Sequence, residues 1–192
     1  VTTMGASGNP DAMDRFVQDV RDVFTATEDP IEQARRVSRR TQELLGERGW
    51  FEEALDFDGG KEYASFHVDE EYGYPEPGFK VMGFATDGDT KEVKFGHDHG
   101  PTWVVYGVYD GEIRQTKFGW NTADPANPSV EERSTFTQGA GEVTAVMPGE
   151  LHATNQESDD PLWVVRVESQ NLESVDVPQQ RYEVGATDAS AD

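Results

Sequence analysis

The chain has 192 residues, no cysteine, 38 acidic and 16 basic residues and a formal charge of −22. Without cysteine there is neither a disulfide framework nor a thiolate ligand, so any metal site must draw on histidine, carboxylate or carbonyl groups. A field this negative argues against nucleic acid or anionic membranes as partners, and no apolar run approaches the ~20 residues that a membrane span needs.

Lysine is confined to Lys61, Lys80, Lys91, Lys94 and Lys117, and hydrophobic residues make up only 35% of the chain. This composition fits a salt-rich cytosol, where screening removes the self-repulsion. An ordinary acidic cytosolic protein is the alternative reading. The opening stretch VTTMGASGNP has no basic or apolar segment of the signal-peptide kind, so a cytoplasmic location, in a salt-adapted organism, is expected.

Residues 1–9 are small and polar and read as a mobile terminus. A helical pattern opens at Pro10, where Met13, Phe16, Val17, Val20, Val23 and Phe24 fall at three- and four-residue steps and form one apolar stripe. Asp29-Pro30 marks a second helix start, with Asp29 as cap and Pro30 at the first helical position. Ile31, Ala34, Val37, Leu44 and Leu45 continue that helix, and Gly46 or Gly49 ends it. Residues 10–50 therefore read as an N-terminal helical segment.

From about residue 60 the pattern changes to short runs rich in Val, Phe, Tyr, Trp and Thr, separated by Gly, Pro, Asp and Asn. Strands are predicted at 62–68, 79–85, 91–97, 102–109, 112–118, 133–137, 142–147, 152–155 and 161–169. Asp-Gly-Asp at 87–89 and Asp-Gly at 110–111 are hairpin turn signals, and 121–132, with two prolines, reads as a loop. Many short strands suggest an all-β barrel or sandwich over 51–183, followed by a small acidic tail at 184–192 that reads as mobile. No internal repeat is present.

The chemistry lies in "KFGHDHGPTWVVYGVYDGEI". On a strand, alternate side chains share a face, so His97 and His99 project the same way and Asp98 the other. That is half of a metal site. His67 is either a further pocket group or ligand, or a hydrogen-bonded or exposed strand residue. Glu142 and Glu150 have no ligand spacing relative to the pair, although Glu150 can share a face with His152. Gln115 and Lys117 share a strand face and either contact a polar substrate or face solvent. Trp103, Tyr106, Tyr109, Trp120 and Trp163 are candidates for pocket wall or core, with Tyr106 the preferred pocket aromatic.

The His-x-His pair followed by Gly111, and a second segment with Gly141, Pro148, His152 and Asn155, resemble the two sequence motifs of the cupin superfamily. That resemblance implies a double-stranded β-helix, a small antiparallel barrel, behind a two-helix segment. It also implies a metal held by His97, His99 and His152. Val104 falls where many cupins place a glutamate ligand, which leaves three histidines and open coordination positions. Fe(II) is the ion expected, while Zn, Ni, Mn and Cu also remain open.

Retained histidines without that glutamate resemble the thiol dioxygenase branch, which includes cysteine dioxygenase and 3-mercaptopropionate dioxygenase. They also resemble some diketone-cleaving dioxygenases. "LLGERGW" at 44–50 and "HDHGPTWVVYGVYDGE" resemble stretches of the thiol branch. The resemblance implies an O2-dependent oxidation of a small thiol carrying an acidic group.

The cysteine-type pocket is not reproduced. No arginine occurs between Gly49 and Ile113, and Arg166 and Glu168 fall where the His and Tyr of that type's Ser-His-Tyr set would be. If the Val164, Arg166 and Glu168 face is interior, Arg166 holds a substrate carboxylate and Glu168 positions it or acts as base. An internal Arg166–Glu168 pair without a substrate role is the alternative. A non-catalytic metal- or ligand-binding cupin is the other functional class. Homo-oligomerisation is left open.

Overall fold

The structure is a computed structural model that describes residues 11–88, 95–126, 128–156, 160–175 and 180–184. The N-terminal stretch 1–9, most of the acidic tail, and the predicted strand residues 91–94 lie outside the described residues, as does Asp89 of the first turn signal. No helix among the described residues is long and apolar enough to cross a membrane.

Helix α1 (Asp11–Ala26) buries Ala12, Phe16, Val17, Val20 and Val23, the stripe set by its helical spacing. Helix α2 (Pro30–Leu45) begins as expected: Asp29 Oδ1 accepts from the Ile31 N–H at 3.0 Å, and Pro30 takes the first position, where its missing N–H costs nothing. It stops at Gly46, which keeps a right-handed backbone. Gly49, at φ 92°, instead opens a short third helix that the sequence does not announce, α3 (Trp50–Ala54), which buries Trp50 and Phe51.

Among the described residues ten strands follow: β1 (Lys61–Val68), β2 (Lys80–Thr86), β3 (Phe95–His97), β4 (Val104–Asp110), β5 (Glu112–Asn121), β6 (Ser129–Gly139), β7 (Val143–Val146), β8 (Leu151–Asn155), β9 (Leu162–Glu168) and β10 (Arg181–Glu183). They form two five-stranded antiparallel sheets, ordered β1-β2-β9-β4-β7 and β10-β3-β8-β5-β6. The mainly β chain with N-terminal helices is thus as expected.

Period-two alternation decides what each face meets. Val105, Val165 and Val167 bury against α1, α2 and α3. Val104, Tyr106, Val108, Leu162 and Val164 point the opposite way and cluster with Ile113 of the second sheet. The even-numbered residues of β4 and β9 therefore face the space between the sheets. Each fully buried Val or Phe contributes about 1.5–3 kcal/mol, so this two-sided burial fixes the register of both strands.

Three expectations are corrected. Asp110-Gly111 does not close a hairpin, because β4 and β5 lie in different sheets; the turn carries the chain from one sheet to the other. Only glycine fits there: at φ 80° a Cβ on Gly111 would sit 2.5 Å from the Pro161 carbonyl oxygen. The predicted loop 121–132 is shorter, since β5 continues to Asn121 and β6 starts at Ser129, with Trp120 opposite Val130. Hairpin pairing of these two consecutive strands overrides the turn signals at the ends of the segment. β10 was not expected; it pairs with β3, Arg181 opposite His97.

Candidate metal centre

Strand pairing assembles the three histidines. β3 and β8 are antiparallel neighbours, and His97 lies directly across from His152. His99, two residues past His97, keeps the same face. Ring centroids are 4.5 Å apart for His97–His152, 5.1 Å for His97–His99 and 5.0 Å for His99–His152. One nitrogen from each lies within 4.8 Å of the other two. His99 and His152 are fully buried, and His97 is half-buried.

Burial is the main reason all three imidazoles resist protonation. His97 is pushed down to about 4, first by burial and then by Arg166 and Arg181. His152 is pushed down to about 2 by burial, His97 and Arg166. His99 is depressed further, by burial and then Arg166. At neutral pH the cluster therefore offers uncharged nitrogens with lone pairs, the form in which histidine binds a metal.

The geometry fits one ion. Two nitrogens each about 2.0–2.1 Å from a tetrahedral ion sit roughly 3.3–3.4 Å apart, and His99 Nε2 and His152 Nε2 are 3.5 Å apart. The group could hold a metal ion. An all-imidazole donor set suits Fe, Zn, Cu or Ni rather than the hard, oxygen-seeking Ca and Mg. Among the described residues no carboxylate joins the group.

Asp98 turns away, its Oδ1 accepting from the Gly100 N–H at 3.1 Å. Glu150 caps its own turn by accepting from the Met147 N–H at 2.9 Å, and Glu142 accepts from the Gly139 N–H at 2.7 Å. Val104, in the slot of the absent glutamate, is buried core.

Tyr106 and Arg166 stand beside the cluster. The Tyr106 hydroxyl lies 3.4 Å from His99 Nε2, and burial raises its pKa. Arg166 is opposite Tyr106 across the β4–β9 pair, with its guanidinium carbon 5.5 Å above the tyrosine ring. Its Nε lies 3.1 Å from Glu168 Oε1, but no acceptor is aligned with that N–H among the described residues. Glu168, directly across from Val104, also accepts from the Leu172 N–H at 3.0 Å, so both its oxygens are engaged. That occupation suits a positioning group better than a free base.

Arg166 and Glu168 line a cavity of about 790 Å³ between β1, β2, β9 and the 171–173 turn. Lys80, Met82, Tyr63 and Ser65 complete most of its wall. The histidines are not part of that lining, whereas Arg166 both lines it and acts by its charge on all three histidines.

The other aromatics belong to packing. Trp103 stacks on Phe24 and donates to Gln33, Tyr109 donates to Glu52 at 2.6 Å, Trp163 packs on Phe51 and Phe57, and Trp120 is exposed against Tyr182. His67 lies outside the histidine group: its Nε2 is 2.9 Å from Asp69, a buried carboxylate that also takes Arg21 at 2.7 Å. Burial pushes the Asp69 carboxyl up, but the bonds from His67, Arg21 and the Tyr72 and Glu71 N–H groups outweigh it and hold it well below the usual range.

Gln115 does not face solvent. It is buried and contacts His152 Nδ1 at 3.4 Å and Gln138 at 3.0 Å. Gln138 carries no local signal, since a glutamine at the end of a polar strand reads as surface.

No protein-family model matches the chain, and no curated protein does. Solved structures resemble it in part. An uncharacterised protein with a double-stranded β-helix domain from Klebsiella pneumoniae is 13% identical, covering 69% of this chain and 88% of that one at a TM-score of 0.46. An oxalate oxidase in complex with the substrate analogue glycolate is 15% identical, covering 59% of this chain and 53% of that one at 0.39. The cupin domain of Schizosaccharomyces pombe Cnp3 is 11% identical, covering 58% and 61% at 0.38. Likeness at this level says nothing of this chain's chemistry.

Proposed function

We propose that the two sheets close as a cupin-type double-stranded β-helix and that His97, His99 and His152 hold one Fe(II). On this reading the chain is an O2-dependent dioxygenase that oxidises a small thiol bearing an acidic group to its sulfinate. One thiol and one O2 give one sulfinic acid, so the reaction balances without a further reductant. The observation that carries the reading is the cluster of three neutral imidazoles, two of them fully buried, with no carboxylate joining it among the described residues, beside an arginine that lines a cavity.

A bound iron would supply the redox chemistry and a meeting point for thiol sulfur and O2. The protein's own residues do the rest. Arg166 directs its guanidinium toward the acidic end of the substrate, where a planar fork matches a carboxylate. Glu168 positions Arg166 by charge, its Oε1 3.1 Å from Nε. Tyr106 supplies a hydroxyl 3.4 Å from His99 Nε2, within reach of a group bound at the cluster. The Val104, Val108 and Val164 wall excludes water from this side.

The test is metal analysis of protein purified in high salt, followed by O2 uptake and mass detection of sulfinate across small acidic thiols and diketones. Iron with thiol-dependent O2 uptake and sulfinate is expected. Tightly bound iron with no uptake from any thiol would overturn the reaction. Uptake with diketones alone would replace it with carbon–carbon cleavage.

A further inference from the structure

The orientation of a buried glutamine is ambiguous until one end meets a group that can only accept. Gln138 meets two. Its Nε2 lies 2.9 Å from the Tyr106 carbonyl oxygen and 2.9 Å from the Glu142 carbonyl oxygen. Backbone carbonyls cannot donate, so the amide nitrogen must be on that side. Gln138 Oε1 then faces Gln115, whose Nε2 donates to it at 3.0 Å. With its nitrogen committed there, Gln115 must turn its oxygen the other way, and that oxygen lies 3.4 Å from His152 Nδ1.

A bare amide oxygen lies best against a donor, so this contact favours the His152 tautomer with its proton on Nδ1. The lone pair is left on Nε2, the atom that faces His99 Nε2 at 3.5 Å. The opposite tautomer would set two lone pairs against each other where Gln115, Gln138 and His152 are all at most 2% exposed. That mismatch disfavours it about tenfold or more. At 3.4 Å the contact is long for a hydrogen bond, so direction rather than strength does the selecting.

We propose that Gln138 and Gln115 are positioning residues: a polar relay, anchored on the backbone of β4 and the 139–142 turn, that fixes the tautomer of His152 so that Nε2 is free for the metal. The purpose of the relay rests on the three-histidine reading of the site, but its polarity does not.

The experiment is long-range 1H–15N NMR of the metal-free wild-type protein at neutral pH, repeated on Gln115→Leu and Gln138→Met, with Zn(II) and Co(II) affinities measured by chelator competition. His152 is expected to carry its proton on Nδ1 in the wild type. Both variants should shift toward a mixture of tautomers and bind metal about 10–100-fold more weakly. Gln138→Met is the discriminating variant, because Gln138 makes no hydrogen bond to a histidine among the described residues and can act on His152 only by letting Gln115 turn over.

Wild-type His152 protonated on Nε2 would overturn the relay, and this reading requires no variant to fold. Unchanged tautomer and metal affinity in both variants would overturn it too. An Nδ1 proton in the wild type, lost in both variants, from a protein that binds no metal would uphold the relay and remove the metal reading instead.

Discussion

Arg166 lies over the ring of Tyr106, its guanidinium carbon 5.5 Å from the ring centroid, because the two residues are opposite one another on β9 and β4. The cation so placed lines the cavity and lowers the proton affinity of the three histidines. Stacking leaves the edge of the guanidinium free to take a carboxylate while its face is covered. Arg166→Lys keeps the charge but loses the fork, and Arg166→Leu loses both. Steady-state kinetics on an acidic thiol should show KM rising by roughly ten- to a hundredfold for Arg166→Lys and more for Arg166→Leu, the range of a charge-assisted hydrogen bond. A thiol without the acidic group should be insensitive to both changes. Equal losses on both substrates would remove Arg166 from substrate binding.

The two kinds of histidine should separate cleanly. His152→Ala removes one of three clustered nitrogens and is expected to abolish tight metal binding. His67→Ala should leave it unchanged, since His67 bonds to Asp69 and lies outside the cluster. Metal content after dialysis against a weak chelator reads both. Retention of metal by His152→Ala would exclude the proposed ligand set.

The depressed histidines set a pH dependence. His97 falls from 6.5 to about 4 in the folded protein, and His152 and His99 fall further. Between pH 6.5 and 4 the unfolded chain therefore binds more protons than the folded one. Stability is full above the unfolded value and is lost as pH falls. Thermal melts of the metal-free protein should show the midpoint dropping already between pH 6.5 and 5, before most carboxylates titrate. His97→Gln should reduce that slope. In the folded state the nitrogens stay unprotonated over the same range, so metal affinity should hold from pH 7 to 5. A flat midpoint there would contradict the burial of the cluster.

Asp69 ties helix α1 to the strand layer through Arg21 while also accepting from His67 and the Glu71 and Tyr72 N–H groups. Asp69→Ala would strand these donors where the carboxylate now sits with no solvent exposure of its side chain. A destabilisation of about 1–3 kcal/mol is expected in denaturant unfolding, the scale for leaving buried hydrogen-bond donors without their acceptor. Asp69→Asn should cost less, because an amide oxygen can still accept. A loss below the error of the measurement would show that water replaces the carboxylate.

The sequence by itself determined whatever depends on neighbours a few residues away. The apolar stripe of α1, the Asp29-Pro30 start of α2, the shared face of His97 and His99, and the common side of Val164, Arg166 and Glu168 all follow from helical or strand periodicity. His152 entered through a motif resemblance, and that too is local pattern.

Only the tertiary structure decided which distant strands become neighbours. It set His97 across from His152, Glu168 across from Val104, and Tyr106 across from Arg166. It also turned Asp110-Gly111 from a hairpin into a crossing between sheets. The Gln138–Gln115–His152 relay was illegible for the same reason. Its polarity comes from the Tyr106 and Glu142 carbonyls, and which of a glutamine's two ends faces a histidine depends on where far-off backbone oxygens come to rest.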